Sequence, residues 1–151
     1  MIPVDVIYHI VRWLGPGELT ITSRLSRAWR DPSRELLYRV LRLRNGSMLK
    51  KFVNGLIRHI RAADHFPSGL HLQDVVQRVY LAGPGHIHGD RIIQTFATIV
   101  PLLRNLHTLG ITFTEANSYM IGHVIGPCLG YVVGRELKTL HITVSSLYNR
   151  A

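Results

Sequence analysis

Two histidines and an aspartate lie close together in the chain and could bind a metal ion. The segment His86-Ile87-His88-Gly89-Asp90 places two imidazoles two residues apart, on one side of an extended backbone. The third ligand would have to be Asp90 or a distant histidine. Because the surrounding loop is rich in glycine and proline, the sequence favours solvent-exposed histidines here, and we expect no metal.

No pattern typical of a catalytic site occurs in the sequence. The only cysteine, Cys128, lacks the local signature of a nucleophile. The Gly-x-Ser-x-Gly pattern, the phosphate-binding loop and the Gly-x-Gly-x-x-Gly pattern are absent. Gly83-Pro84-Gly85 is too short and too rigid to hold a phosphate. The sequence therefore predicts a protein that is not an enzyme and needs no cofactor.

The strong positive charge is typical of nucleic-acid-binding proteins. The chain carries 18 Lys and Arg against nine Asp and Glu, a net charge of +9. However, the basic residues are scattered, Lys50-Lys51 is the only adjacent pair, and neither zinc-finger spacing nor basic–aromatic interleaving occurs. We expect no specific nucleic-acid partner, only salt-sensitive binding to polyanions. A basic nucleic-acid-binding protein without enzymatic activity is the alternative function.

The composition is that of a folded protein of a reducing compartment. Hydrophobic residues make up 46% of the chain, which excludes a disordered protein, and a single cysteine forms no internal disulfide. Asp5 and Arg12 interrupt the apolar N-terminus, which therefore lacks the pattern of a signal peptide. The longest apolar run, residues 119–134, contains Pro127 and is shorter than the about 20 residues of a spanning helix. We expect a cytoplasmic or nuclear protein outside the membrane.

Three short helices are predicted in the first 43 residues. Pro3 suits the first turn of a helix, and the apolar residues that follow it at helical spacing form one face: Ile7, Ile10 and Leu14. Leu19, Leu25 and Trp29 are predicted to form the apolar face of a second helix. Asp31-Pro32 predicts the start of a third, which ends near Leu41. Three such helices cannot bury all their apolar side chains, so the unit requires a partner.

Residues 2–43 resemble an F-box, the adaptor-binding module of SCF-type ubiquitin ligases. The family's Leu-Pro opening is matched by Ile2-Pro3, and its acidic-Leu pair by Glu18-Leu19. Its Val-Cys/Ser-basic-x-Trp run is matched by residues 25–29, and its closing Leu-Trp/Tyr by Leu37-Tyr38. Ile2 departs from the family's leucine, and the gap between residues 29 and 37 is about one residue short. An unrelated three-helix segment is the alternative.

The resemblance implies a set of partners and a set of contact residues. The partners would be the acidic SKP adaptor and the cullin of an SCF complex. The residues that the resemblance assigns to adaptor binding are Ile2, Pro3, Ile7, Ile10, Leu14, Leu19, Leu25 and Trp29.

A repeated pattern of the form Leu-x-x-Leu-x-Ile predicts four strands. It begins at residues 38, 76, 106 and 137, so the intervals are 38, 30 and 31 residues. Each copy ends in two apolar residues with period two, as in a strand with one buried face. Helices are predicted between them, from Ser47 to about Arg61, from a cap at Asp90, and from a cap at Thr114 to about Ile125.

Alternating strands and helices predict an α/β fold in which an N-terminal three-helix F-box precedes a short right-handed strand-helix solenoid with parallel strands. The second region resembles the degenerate leucine-rich repeats of fungal F-box proteins, although the interval is longer and the usual Asn is absent. An ordinary α/β domain is the alternative. The expected domains are residues 1–43 and 44–151. Because few residues follow the last strand, we expect further repeats or another chain at that edge.

The period-two alternation assigns the two faces of the predicted sheet. The residues expected to point toward the helices are Val79, Leu81, Leu109, Ile111, Leu140 and Ile142. The opposite, open face is where repeat proteins bind partners. We expect an unknown protein target to contact Arg78, Tyr80, Thr108, Thr112, Thr139 and His141. The sequence thus predicts a substrate-recruiting adaptor of an SCF-type ubiquitin ligase.

Overall fold

The computed structural model describes residues 1–81, 97–114, 122, 126, 130 and 137–145. These residues form a mixed α/β fold with one four-stranded parallel sheet. The elements, in chain order, are the helices α1 (Val4–Val11), α2 (Pro16–Thr22) and α3 (Arg27–Arg39), strand β1 (Val40–Leu43), helices α4 (Gly46–Ala62) and α5 (Leu72–Val75), strand β2 (Arg78–Leu81), a 3₁₀ turn (Val100–Leu102), and strands β3 (Thr108–Thr114) and β4 (Thr139–Ser145).

Helices α1, α2 and α3 pack together around a small apolar core of their own. Ile7, Val11 and Leu19 are buried there, and four partly buried residues pack against them: Leu14, Trp29, Leu36 and Leu37. Helix α2 begins with Pro16 in its first turn, and the Glu18 carboxylate accepts a hydrogen bond of 2.8 Å from the Gly15 N–H. That bond satisfies one of the donors that a helix start leaves unpaired.

The boundary between the second and third helices differs from the sequence prediction. Leu25 and Trp29 do not share a helix, because α2 ends at Thr22 and α3 already begins at Arg27. Pro32 lies inside α3 instead of starting it. Pro32 cannot donate to the Ala28 carbonyl, but Pro32 and Ser33 are both buried, and the Ser33 hydroxyl is 2.8 Å from that of Thr22. Packing at this point outweighs the lost backbone bond.

Helix α4 covers one face of the sheet and confirms the helix predicted from Ser47 to about Arg61. The Asn45 side chain caps it by accepting a hydrogen bond of 2.9 Å from the Met48 N–H. Its buried residues recur at helical spacing and join the main core: Leu49, Phe52, Val53 and Leu56. The helix ends at Ala62, and the next residue, Ala63, adopts the left-handed conformation (φ 51°) common just after helix C-termini.

The four strands pair in chain order, all parallel, with the register that the repeat predicts. Leu41 pairs with Val79, Val79 with Leu109, and Leu109 with Leu140. Two residues further along, the second apolar position of every copy is aligned in the same way: Leu43, Leu81, Ile111 and Ile142. The four copies of the sequence repeat therefore form four neighbouring strands, and equivalent residues of the copies lie side by side in the sheet.

Burial of the inward-facing residues follows the prediction on the middle strands and departs from it at one edge. Val79, Leu81, Leu109 and Ile111 are buried in the main core. By contrast, Leu140 is 39% exposed and Ile142 is 40% exposed. Edge position alone is not the reason, because Leu43 on the other edge strand, β1, is buried. Strand β1 packs against α3 and α4, whereas among the described elements β4 packs mainly against β3.

Some sequence predictions fall outside the described residues. These are the segment His86–Asp90, Cys128, the helix expected after Thr114, and most of the helix expected from Asp90. Residues 97–99 are helical and lead into the 3₁₀ turn that contains Pro101. Within the part of the chain that the structure describes, no helix is both long and apolar enough to cross a bilayer.

Candidate functional site

One side of α1 carries an exposed apolar stripe. Val6 is 45% exposed, Ile10 is 40% exposed, and Trp13, just after the helix, is 81% exposed. Their spacing of four and three residues places them on the same side, away from buried Ile7 and Val11. We call Val6, Ile10 and Trp13 the α1 stripe. Large apolar groups aligned in this way on a surface are typical of a protein-binding site.

The residues that the resemblance assigns to adaptor binding divide into two groups. Ile7 and Leu19 are buried in the helical core, and Leu14 and Trp29 pack against it. These four hold the three helices together. Four others are exposed and accessible to a partner: Ile2, Pro3, Ile10 and Leu25. Ile2 and Pro3 line a groove beside Ala28, at the start of α3.

Several exposed apolar residues of the three helices are absent from the predicted contact set, among them Val6, Trp13 and Ile21. Trp13 follows Ile10 by three residues, and this helical spacing could have predicted that the two side chains share one exposed side of α1. Ile21, which is exposed at the end of α2, falls within the predicted second helix, so its sequence position gave no indication of exposure.

A buried carboxylate links the helical unit to the α/β part of the chain. Glu35, on α3, is 1% exposed. Its Oε2 accepts hydrogen bonds from Tyr8 Oη at 2.5 Å and from Ser68 Oγ at 2.9 Å. Arg39 Nη2 lies 3.8 Å from the other oxygen, Oε1. The four residues come from α1, α3 and the loop before α5, so Glu35 fixes these segments against each other.

The same contact shifts the ionisation of Tyr8. Burial, together with the hydrogen bond to Glu35 and its negative charge, raises the pKa of Tyr8 from 10.0 to about 12. All three causes disfavour the phenolate: burial removes the water that would solvate its charge, the hydrogen bond to Glu35 requires the phenol proton, and the charge of Glu35 repels a second negative charge.

Tyr8→Phe is expected to lower the free energy of unfolding by about 1–3 kcal/mol at neutral pH, because buried Glu35 loses a donor. The folded-state pKa of Tyr8 lies above its unfolded value, so the stabilisation by Tyr8 is fully present below pH 10 and is lost as the pH rises toward 12. Urea unfolding at stepwise alkaline pH should show the difference between wild type and variant shrinking over that interval. A constant difference up to about pH 11.5 would contradict the expectation.

The second candidate surface is the open face of the sheet. We define it by the residues that pair across the strands on the side away from the core: Val40, Arg42, Arg78, Tyr80, Thr108, Gly110, Thr112, Thr139, His141 and Thr143. All six residues predicted to contact a target lie on this face, and Arg78, Thr139 and His141 are exposed. The face includes no Asp or Glu.

At the centre of the open face, three residues of one ladder row pack on each other. Arg42, Tyr80 and Gly110 are neighbours across β1, β2 and β3. The Arg42 Cζ lies 4.9 Å from the centroid of the Tyr80 ring, a cation–π contact. The ring leans over Gly110, where an added Cβ would be 2.7 Å from Tyr80 Cδ1. Only glycine therefore leaves room for the ring in this position.

Gly110→Ala is expected to destabilise the protein by about 1 kcal/mol, because the methyl group displaces the Tyr80 ring. In a Tyr80→Ala background the same change should be neutral or stabilising by about 0.5–1 kcal/mol, since alanine loses less backbone entropy than glycine. Urea unfolding of the four proteins of this double-mutant cycle measures the coupling. Equal effects of Gly110→Ala in both backgrounds would show that the ring does not lie over Gly110.

Among the described residues, no group of three or more His, Cys, Asp or Glu side chains could hold a metal ion. No model of a known protein family matches this chain, and neither a curated protein nor a solved structure matches it.

Proposed function

We propose that this chain is a substrate-recruiting adaptor of an SCF-type ubiquitin ligase. In this proposal, residues 1–43 are an F-box that binds the SKP adaptor, and through it the cullin. The α/β region that follows is a short leucine-rich-repeat-like solenoid that binds a target protein. The protein has no catalytic role of its own, and its function is to hold two partners in a fixed relation.

The observation that carries the proposal is the exposed apolar surface of the three-helix unit. The α1 stripe and the exposed residues Ile21 and Leu25 offer large side chains to a partner, while Ile7, Val11 and Leu19 already fill the interior. Interfaces of stable complexes are built on such apolar anchors. The resemblance of residues 2–43 to an F-box supports an SKP adaptor as the partner of this surface.

The charge of the helical unit supports the same partner. Residues 1–43 contain seven Arg against four Asp and Glu, and several of these arginines are exposed: Arg12, which precedes Trp13, Arg24, which precedes Leu25, and Arg27 and Arg30. An excess of positive charge on the unit that carries the exposed apolar residues favours an acidic partner, because complementary charge speeds encounter and selects orientation. An SKP adaptor, which the resemblance implies to be acidic, meets this condition.

The connection between the two units supports a scaffold role. Besides the Glu35 contacts, Tyr38 and Leu41 pack against the main core of the α/β region. The Tyr38 and Phe66 rings are 6.2 Å apart. A target on the open face would therefore be held at a defined distance and angle from the F-box, as transfer of ubiquitin to that target requires.

The proposal is tested by co-purification of the full chain with the SKP adaptor and cullin. We expect a stable complex that elutes as one species in size-exclusion chromatography. Failure to form a complex at micromolar concentrations of purified proteins would overturn the proposed function.

A further inference from the structure

The open face carries positive charge that no acidic residue of the same face neutralises. Arg42, Arg78 and His141 lie on it, together with four threonines and no Asp or Glu. The two arginines are diagonal neighbours, because Arg42 pairs with Tyr80, two residues after Arg78. With strands about 4.8 Å apart and a rise of about 3.3 Å per residue, their Cβ atoms are separated by about 8 Å.

This spacing is close enough to the period of an extended peptide for the long arginine side chains to span the difference. Side chains on one side of an extended chain recur every two residues, about 6.6–7 Å apart. Two carboxylates at such alternate positions could each reach one guanidinium. Arginine is well suited to this contact because its planar fork binds a carboxylate through two parallel hydrogen bonds.

One of the two arginines is positioned before any partner arrives. Its contact with the Tyr80 ring orients the Arg42 side chain, and the ring in turn is located by Gly110. Ordering a long side chain in advance reduces the entropy lost on binding. Beyond this pair, the threonine hydroxyls of β3 and β4 provide uncharged hydrogen-bonding groups along the remainder of the face.

We propose that the open face binds an extended, acidic segment of the target protein, with carboxylates at alternate positions on Arg42 and Arg78. This inference rests on the proposed function for the identity of the ligand as a ubiquitylation target, and it names the chemistry of that target. The threonines and His141 contact the peptide backbone and polar side chains further along the segment.

The observations favour a peptide over a nucleic acid. Single-stranded nucleic acids are commonly bound by stacking two or three bases on aromatic rings. Tyr80 is the only Phe, Tyr or Trp of the open face as defined, Arg42 already covers one side of its ring, and His141 is the one other ring on the face. The face therefore offers fewer free rings than base stacking commonly uses, but it has the charge that both ligands would need.

The test measures binding of the full chain to a fluorescein-labelled peptide of about 12 residues with Glu at alternate positions. Anisotropy titrations compare it with the same peptide carrying Gln and with a labelled oligouridylate of similar length. We expect binding of the Glu peptide, at least about tenfold weaker binding of the Gln peptide, and weakening with added salt.

The decisive variant is Arg42→Gln with Arg78→Gln, which should weaken binding of the Glu peptide about tenfold. Both residues are exposed, so thermal unfolding should change little. The matched control is Arg58→Gln with Arg61→Gln, which removes the same charge from exposed positions of α4 and should leave affinity within about twofold.

Equal losses in the two double variants would overturn the inference, since binding would then follow net charge alone. Tighter binding of the oligouridylate, lost in the Arg42/Arg78 variant, would make the face a nucleic-acid site instead. Peptide binding without SKP binding would overturn the proposed function and support an acidic peptide as the ligand of the open face. SKP binding without peptide binding would support the proposed function and overturn the acidic peptide as the ligand.

Discussion

Exchanging Ile10 and Leu25 for glutamine should weaken binding to the SKP adaptor by about 2–4 kcal/mol, roughly 30- to 1,000-fold in affinity. Both residues are exposed in the free chain, Ile10 at 40% and Leu25 at 65%. Glutamine retains a long side chain but opposes burial at an interface, because its amide must be desolvated. The fold should persist, and isothermal titration calorimetry with purified adaptor measures the loss.

A matched variant separates this effect from a general loss of surface hydrophobicity. Ile57 and Leu102 are also exposed, but they lie on α4 and the 3₁₀ turn, outside the helical unit. Ile57→Gln with Leu102→Gln should leave adaptor affinity unchanged. Equal affinity of both variants and wild type would refute adaptor binding through Ile10 and Leu25.

Substitutions at the buried half of the predicted contact set would not make this distinction. Pro3→Ala with Leu14→Ala is also expected to reduce adaptor binding by several kcal/mol, since large-to-small changes cost about 2–5 kcal/mol each in a core. Leu14, however, packs against the helical core. Its truncation would destabilise the three helices, and reduced binding could then reflect unfolding. The exposed pair is the sharper probe.

The sheet could be predicted because its signal is local and repeated. Each copy of Leu-x-x-Leu-x-Ile specifies one strand, one buried side and one register, and the observed pairing of Leu41, Val79, Leu109 and Leu140 follows that alignment. Helix α4 could be predicted for the same reason, because its apolar residues recur at helical spacing.

The start of α3 could not be predicted, because local preference and packing disagree there. Asp31-Pro32 has the composition of a helix start, yet burial of Pro32 and Ser33 keeps that segment inside one helix. The exposure of Leu140 and Ile142 could not be predicted, because a period-two pattern indicates which side of a strand is apolar and not which element covers that side. Burial of an edge strand depends on neighbours that its own sequence does not specify.

The candidate sites were predictable to different degrees. The open face follows directly from the alternation, so its six predicted residues lie together. The contact set taken from the F-box resemblance mixes interior and surface positions, and only the packing of α1 against α3 separates Ile7 from Ile10. The Arg42–Tyr80 contact was not predicted, because it depends on the pairing of strands that are far apart in the sequence.

The Glu35 contacts were also beyond the reach of the sequence. The partners are 27 and 33 residues away from Glu35, and a glutamate between Arg34 and Leu36 has the appearance of an ordinary surface residue. Charged residues are almost never fully buried unless they are paired. The pairing that permits this burial is visible only in three dimensions.

Glu35→Ala should therefore have the largest effect on stability, a loss of about 2–4 kcal/mol in the free energy of unfolding. Tyr8 and Ser68 lose their common acceptor, a cavity forms, and the helical unit loses its fixed contact with the α/β region. Glu35→Gln keeps an acceptor oxygen and should cost less. Asp31→Ala, at an exposed position of the same helix, is the control and should change stability by no more than about 0.5 kcal/mol.

The two tryptophans allow the loss of coupling to be observed directly. Trp13 and Trp29 both lie in the helical unit, so their fluorescence reports on that unit, whereas far-ultraviolet circular dichroism reports on the whole chain. In wild type the urea transitions followed by the two signals should coincide, as expected for one cooperative unit. In Glu35→Ala the fluorescence transition should move to lower urea than the dichroism transition. Coincident transitions in the variant, with a midpoint equal to that of Asp31→Ala, would show that Glu35 does not hold the two units together.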